Sequence, residues 1–449
     1  MFSPAGIEFE LKTKIDACVF LAALALAGLP LLYIGGKAAA AETLANSENS
    51  LWLVRAIGLD PSHPALHFRL GVLQLFSLEK ADSAMAIEHL RKAAELSPNS
   101  GPYWLGVAAA LESRGETRAA QDAFHHALER RPMSPDYWWR AGNFYLRAGQ
   151  NEAAWNHFRR VLELSPTRSE PVFRLCLRAA GDFRLVSEHV MPLDASPGLV
   201  LAYVDFLRRC GEYDDAFKMW RQFESKASKT KITFPTVQPY IDGLIAGNRV
   251  NEAISVWRDL LKWQVIARPT SPSPDNAVFN GDLEQAPLNA GFDWRLTQMP
   301  FVVTDSQAPA AFHGAKSARV DFTVKHNEEY EILYQLVPVE PCREYRLEAF
   351  VRSEGITSDS GPRLRIVDAE SPERLNISTP PVLGTTDWHP VGLTFSAGRD
   401  TRLVRLAVWR ARSRVFPMEI SGRFWLDAVS LVVTGPHSGM DSTRQVCMQ

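Results

Sequence analysis

Residues 135–145, PDYWWRAGNFY, hold five aromatic side chains in eleven positions, and their reading decides the fold of the first half of the chain. Three meanings compete: a stacking platform for sugar, a groove for a peptide, and the core of a helical repeat. The flanking sequence arbitrates. ELSP ends at Pro98, ERRP at Pro132 and ELSP at Pro166, so a helix-ending proline recurs every 34 residues (132 − 98 and 166 − 132). Proline lacks the N–H that a continuing helix needs, so each one stops a helix. Self-similarity at this period is the mark of stacked helical hairpins.

Counted from Gly101 and from Pro135, two units agree position by position. Trp104 and Trp138 stand fourth, Ala108 and Gly142 eighth, Ala120 and Ala154 twentieth, Phe124 and Phe158 twenty-fourth, and Ala127 and Val161 twenty-seventh. Small residues at the eighth and twentieth positions let two helices approach closely. Large ones at the fourth, eleventh (Tyr145) and twenty-fourth fill the space around them. Gly115 and Gly149 fall at the turn, where a permissive backbone helps. These residues at this spacing resemble the tetratricopeptide repeat family.

The resemblance implies an all-α solenoid in which each hairpin buries its face against its neighbours. Weaker units extend it. One spans about 64–98, with three extra residues in its turn, and SLWLVRAIGLDP precedes it as a lone second helix. Residues 169–190 are degenerate. VDFLRRCGEYDDAFKMW, with Gly211, and IDGLIAGNRVNEAISVW, with Gly247, restore the pattern, so repeats are expected over 42–264. In this family the fifth position faces the concave surface. It is Trp139 here, with Asn143 and Arg147 on the same face, and Phe68, Leu105, Phe173 and Leu201 in other units. This set is expected to line a groove for a protein partner; packing between units is the competing meaning. Trp138 and Tyr145 are expected in the core.

Before the repeats, residues 17–36, ACVFLAALALAGLPLLYIGG, carry no charge and are long enough to cross a bilayer. No polar face is present for packing on a soluble core. A signal anchor after a 16-residue tail fits, as does a signal peptide cleaved near KAAAAET; the length of the apolar run favours the anchor. Either places the remainder on the non-cytoplasmic side. The expected setting is the bacterial inner membrane, single-pass, with a periplasmic soluble part; secretion after cleavage is the alternative.

After the repeats, residues 265–276, VIARPTSPSPDN, read as a Pro/Ser-rich linker. Beyond them the periodicity alternates: SARVDFTV, EYEILYQLVPV, EYRLEAFVRS, PVGLTFSA, RLVRLAVWR and RFWLDAVSLVV are strands separated by turns such as SEGITSDSGP and VLGTTDW. Many short strands without helices indicate an antiparallel sandwich over 277–436; a flexible tail, 437–449, follows. FNGDLEQAPLNAGFDW, GAKSARVDF, REYRLEAFVRS, TTDWHPVGLTF and FWLDAVSLV, in this order, resemble carbohydrate-binding, galactose-binding-like jelly rolls. That resemblance implies a structural calcium held by Glu284 and Asp427, hard oxygen ligands from both ends of the domain; a capped turn with an inward polar residue and no metal is the competing reading. It also implies sugar contacts, for which Trp388 and Trp409 offer ring faces and Arg410 and Arg412 offer guanidinium groups, sharing a face if the strand continues; core packing of the two rings and a solvated arginine face are the competing readings. Trp294 and Trp425 match the shared framework and are expected in the core.

The overall class is therefore multidomain: a transmembrane helix, an all-α solenoid, then an all-β jelly roll. With 49 basic and 51 acidic residues, charge gives no reason to expect nucleic acid. The five cysteines form no CxxC pair. No HExxH, GxSxG, P-loop or GxGxxG occurs, and neither resemblance brings a catalytic pair, so no enzyme activity and no cofactor beyond structural calcium are expected. The expected function is a membrane-anchored envelope scaffold, with a protein partner in the groove and glycan or protein on the sandwich, in exopolysaccharide or O-antigen assembly. A carbohydrate-active enzyme or its accessory subunit, and a purely structural protein without sugar binding, are the alternatives.

Overall fold

A computed structural model describes residues 14–45, 49–76, 83–226, 232–269 and 275–434. The expected C-terminal tail, most of the N-terminal tail, part of the linker and the turn of the first repeat lie outside the described residues. The chain divides into two compact units, residues 1–195 and 196–449.

The first unit is helical. α1 (Lys14–Ala45) is followed by α2 (Ser50–Leu59), α3 (Pro64–Phe76), α4 (Ser83–Leu96), α5 (Gly101–Ser113), α6 (Thr117–Arg130), α7 (Pro135–Arg147), α8 (Asn151–Leu164), α9 (Ser169–Ala180) and the short α10 (Phe183–His189). α1 contains a span long and apolar enough to cross a membrane, Cys18–Leu44, with a mean hydropathy of 2.2. At 32 residues the helix outruns the expected span. Ala41, near its C-terminal end, is buried in a cluster with Leu53 and Ala56 of α2.

The size pattern works as expected inside the hairpins. A Cβ at Gly142 would lie 2.9 Å from the Phe158 ring, so α7 and α8 touch through a position that only glycine leaves open. Gly115 and Gly149 take left-handed φ values of 75° and 72° at the turns. Trp138 departs from expectation. Its ring is half-buried, against His157, and its Nε1 donates to the carbonyl of Pro132 at 2.8 Å. Trp104, one repeat earlier, bonds Pro98 in the same way at 2.9 Å. An indole N–H needs an acceptor when its ring packs, and the proline carbonyl left open at each helix end supplies one. Tyr145 is also half-buried, against His157 and Phe144.

The second unit combines the last four helices with the strands. α11 (Pro197–Arg209), α12 (Tyr213–Lys226), α13 (Phe234–Ala246) and α14 (Val250–Lys262) form two hairpins. Gly211 takes a left-handed turn, but in the next hairpin Asn248 does so, at φ 57°. Gly247 is needed for closeness instead, because a Cβ there would meet the Tyr213 hydroxyl at 2.5 Å. Trp257 of α14 packs edge-on against Phe279 and Phe292, at 5.1 and 5.7 Å, and Asp242 of α13 accepts from the Gly291 N–H. The described ends of the expected linker, residues 265–269 and 275–276, fall in the second unit, and its middle lies outside the described residues. The break falls at 195, after the degenerate hairpin, whose second helix has only seven residues.

The strands are β1 (Arg295–Leu296), β2 (Val302–Ala308), β3 (Ser317–His326), β4 (Tyr330–Pro338), β5 (Glu344–Ile356), β6 (Arg363–Asp368), β7 (Asn376–Ser378), β8 (Gly384–Ser396), β9 (Leu403–Arg410) and β10 (Ile420–Val433). They form two five-stranded antiparallel sheets, ordered β1-β4-β9-β6-β7 and β2-β3-β10-β5-β8. Residues from both, such as Leu347 and Leu426 with Ile332 and Leu406, share one core. Trp294 is fully buried in it and donates to the Asn280 carbonyl at 3.0 Å. VLGTTDW, expected as a turn, enters β8 from Gly384 onward, because Ser353 and Ile356 extend β5 and pair with it.

Candidate functional site

On α7 the adjacent tryptophans are both half-buried and differ in what they touch: Trp138 packs on His157, and Trp139 stands edge to face with Phe158, ring centres 5.4 Å apart. One turn on, Asn143 donates to the Trp139 carbonyl at 2.8 Å. Exposed Arg147 reaches α5 and holds both oxygens of Glu112, at 2.7 and 3.2 Å. Phe68 and Leu105 are half-buried against the core of the neighbouring hairpins. A pair such as Arg147–Glu112 is worth no more than about 1 kcal/mol at a surface, so it orients more than it stabilises.

Two expected groove residues are core instead. Phe173 is fully buried, and Leu201 is buried among Leu199 and Val204 on α11, in the other unit. The fifth-position rule presumes a full second helix behind each first helix. In the degenerate hairpin α10 is too short to fill that space, and Phe173 does so.

The sandwich sorts its candidates differently from the sequence. Arg410 ends β9, so no strand continues to align it with Arg412. Its side chain is fully buried and donates to the Glu328 and Met418 carbonyls and to Asn327. It closes two loops and cannot meet a ligand. Arg412 is exposed and pairs with Glu328 at 2.5 Å. The guanidinium groups of Arg363 and Arg365 lie over the Trp409 ring, 5.4 and 4.5 Å from its centre; a sugar would have to displace such contacts. Trp425 is buried under Arg352 and Arg423. Trp388 is freer. It is half-buried beside Phe312, which stacks on Phe350 at 3.6 Å and keeps 45% of its surface exposed.

Glu284 and Asp427 do come from both ends of the domain to one loop, as the resemblance implies. Their oxygens meet donors there. Glu284 accepts from the N–H groups of Ala315 and Lys316, at 2.6 and 2.9 Å. Asp427 accepts from Phe312, His313 and Ala428, at 2.7, 2.9 and 2.6 Å. Burial pushes the Asp427 carboxyl above the usual range while these N–H groups oppose it. Calcium takes six to eight oxygens. N–H groups, not further oxygens, converge on this pair, and among the described residues no group of three metal-binding side chains forms. The pair does not fit calcium; it pins the loop that carries Phe312.

One feature escaped sequence reasoning altogether. Within the second unit a cavity of about 310 Å³ opens between the end of α13 and the sheet containing β4 and β9. Tyr334, Leu336 and Leu403 give it an apolar side, and Asp242, Arg295, Asp400 and Arg402 give it charges of both signs. No local motif could have announced it, because its lining is drawn from residues 242 to 405.

The tetratricopeptide repeat model matches residues 135–168. No curated protein sequence matches the chain. Among solved structures, MamA 41-end from Desulfovibrio magneticus RS-1 is similar over 26% of this chain and 65% of its own, at 19% identity and a TM-score of 0.25. A structure titled "Crystal structure of MamA" covers 41% of this chain and 90% of its own, at 18% identity and a TM-score of 0.25. A structure titled "CBM4 structure and function" covers 35% of this chain and 99% of its own, at 11% identity and a TM-score of 0.27. TM-scores at this level establish neither fold nor function.

Proposed function

We propose that the protein is a non-catalytic scaffold, whose α5–α7 surface docks a segment of a partner protein with Trp139 as the anchor. The observation that supports this most is the half-buried Trp139 ring, which keeps part of its surface open and is seated on buried Phe158 within the matched repeat. A large aromatic fixed on a rigid helix loses little freedom on binding and is the residue type that dominates protein interfaces. Asn143 and Arg147 beside it offer polar contacts that set orientation. The apolar part of α1 would anchor the scaffold in a bacterial inner membrane, with the rest periplasmic. Export with cleavage of this segment remains the alternative location.

The second unit carries a second role in this proposal. The Phe312–Phe350–Trp388 cluster, one ring of it well exposed, supports contact with glycan, since stacked rings match the apolar faces of pyranoses. Exopolysaccharide or O-antigen assembly is the setting we favour.

Site-specific photo-crosslinking in the native membrane tests the docking role. A benzophenone side chain at position 139 is expected to yield a discrete protein adduct. The same group at position 147 should yield it more weakly, and at position 412 not at all. No adduct at 139, or an identical pattern from all three positions, would remove the docking role.

A further inference from the structure

We propose that the cavity between α13 and the β4–β9 sheet binds a small zwitterion of the α-amino-acid type, independently of the helical docking surface. Its charges separate into those already answered and those that are not. Asp242 pairs with Arg295 at 2.8 Å, Arg405 pairs with Glu331 at 3.1 Å, and Glu370 takes Arg374 and Asn248, at 2.6 and 3.0 Å. Asp368 accepts from Thr401 and from the Glu370 and Ser371 N–H groups. These contacts fix the walls and cancel most of their charge.

Two groups on one turn remain. Asp400 and Arg402 are exposed, two residues apart, line the cavity, and have no side-chain hydrogen bond or ion pair among the described residues; Asp400 feels the charge of Arg374, whose guanidinium Glu370 holds.

This pattern selects a ligand class. A purely anionic ligand meets Asp400 and Asp368, and a purely cationic one meets Arg402 and Arg405. A dipolar ligand meets both signs favourably: its carboxylate accepts from Arg402 and its ammonium donates to Asp400, each a charge-assisted bond. Tyr334, Leu336 and Leu403 then take the apolar part of the molecule. A volume of about 310 Å³ suits one amino acid or a dipeptide and is too small for a nucleotide or an oligosaccharide chain. The site is preformed, because the Asn248–Glu370 bond ties its helical wall to its sheet wall.

The test uses the full chain in detergent, with the standard amino acids added singly at millimolar concentration. Saturation-transfer NMR reads binding, and thermal melting reads stabilisation. At least one amino acid is expected to bind and to raise the melting temperature, while its N-acetyl amide does not. Arg402→Ala and Asp400→Asn should each weaken binding about tenfold or more, the scale of one lost charge-assisted bond. Both lie on an exposed turn and should melt like the parent. Absence of binding by every amino acid overturns the proposal. So does binding unchanged in both variants, or Arg402-dependent binding of methyl glycosides in place of amino acids. None of these results bears on crosslinking from position 139, so the two proposals fail separately.

Discussion

Trp220→Ala is expected to lower the stability of the second unit by about 4–6 kcal/mol, a large part of what a domain possesses. Trp220 is fully buried on α12, packed against Tyr240 and Trp263 with ring centres 5.8 and 5.5 Å away. Truncating a buried tryptophan to alanine costs about 3–5 kcal/mol through lost burial and the cavity left behind. Its Nε1 also donates to Asp259 Oδ2 at 2.8 Å in a buried site. A hydrogen bond to a charged group contributes about 1.5–3 kcal/mol, part of which the truncation figure already contains. Trp220→Phe separates the two effects. It keeps most of the ring and removes the donor, so it should cost about 1.5–3 kcal/mol. Denaturant unfolding followed by circular dichroism reads both. A loss below about 2 kcal/mol for the alanine variant would show that α12 does not depend on this ring.

The pH dependence of the second unit should carry the mark of Asp293. This carboxyl is buried under the sandwich, and burial pushes its pKa from 3.8 up to about 6, against the pull of the Leu288 and Trp294 N–H groups, both at 2.8 Å. The folded protein therefore holds a proton that the unfolded chain has released. Below about pH 4 both states are protonated and the contribution is complete. Between about pH 4 and 6 the unfolded state ionises first, so stability falls as pH rises, and above about 6 it levels off. From 3.8 to about 6, at roughly 1.4 kcal/mol per pKa unit, the fall approaches about 3 kcal/mol. Carbon-detected NMR should find this carboxyl titrating near 6, and Asp293→Asn should abolish that part of the slope. A titration near 4 would mean that water reaches the group.

The hairpins of the repeats were legible because side-chain size alternates at a fixed period, and size is what close helix packing selects. Gly142 against Phe158 follows from that rule alone. Register assigned Trp138 to the core, yet it is half-buried like Trp139, with its indole N–H on the Pro132 carbonyl. The rule failed at Phe173 because it presumes a complete second helix and α10 has seven residues; Leu201 is buried although α12 is complete, and register alone does not foresee that. Alternation located most strands, yet it could not say that β9 stops at Arg410, which turned an expected ligand-binding arginine into a buried loop clamp. The resemblance to carbohydrate-binding jelly rolls implied calcium at Glu284 and Asp427; only the geometry shows that they face N–H donors. The cavity depends on how α13 meets the sheet, and no local pattern encodes that.

The central claim is that α7 gives one tryptophan to packing and offers the next to a partner. The unfolding free energy of Trp139→Ala tests it most directly. Half-buried and edge to face with Phe158, Trp139 should contribute about 2 kcal/mol, less than a fully buried ring. A loss of about 3–5 kcal/mol, the cost of a fully buried ring, would make Trp139 a core residue and contradict the docking surface built on it.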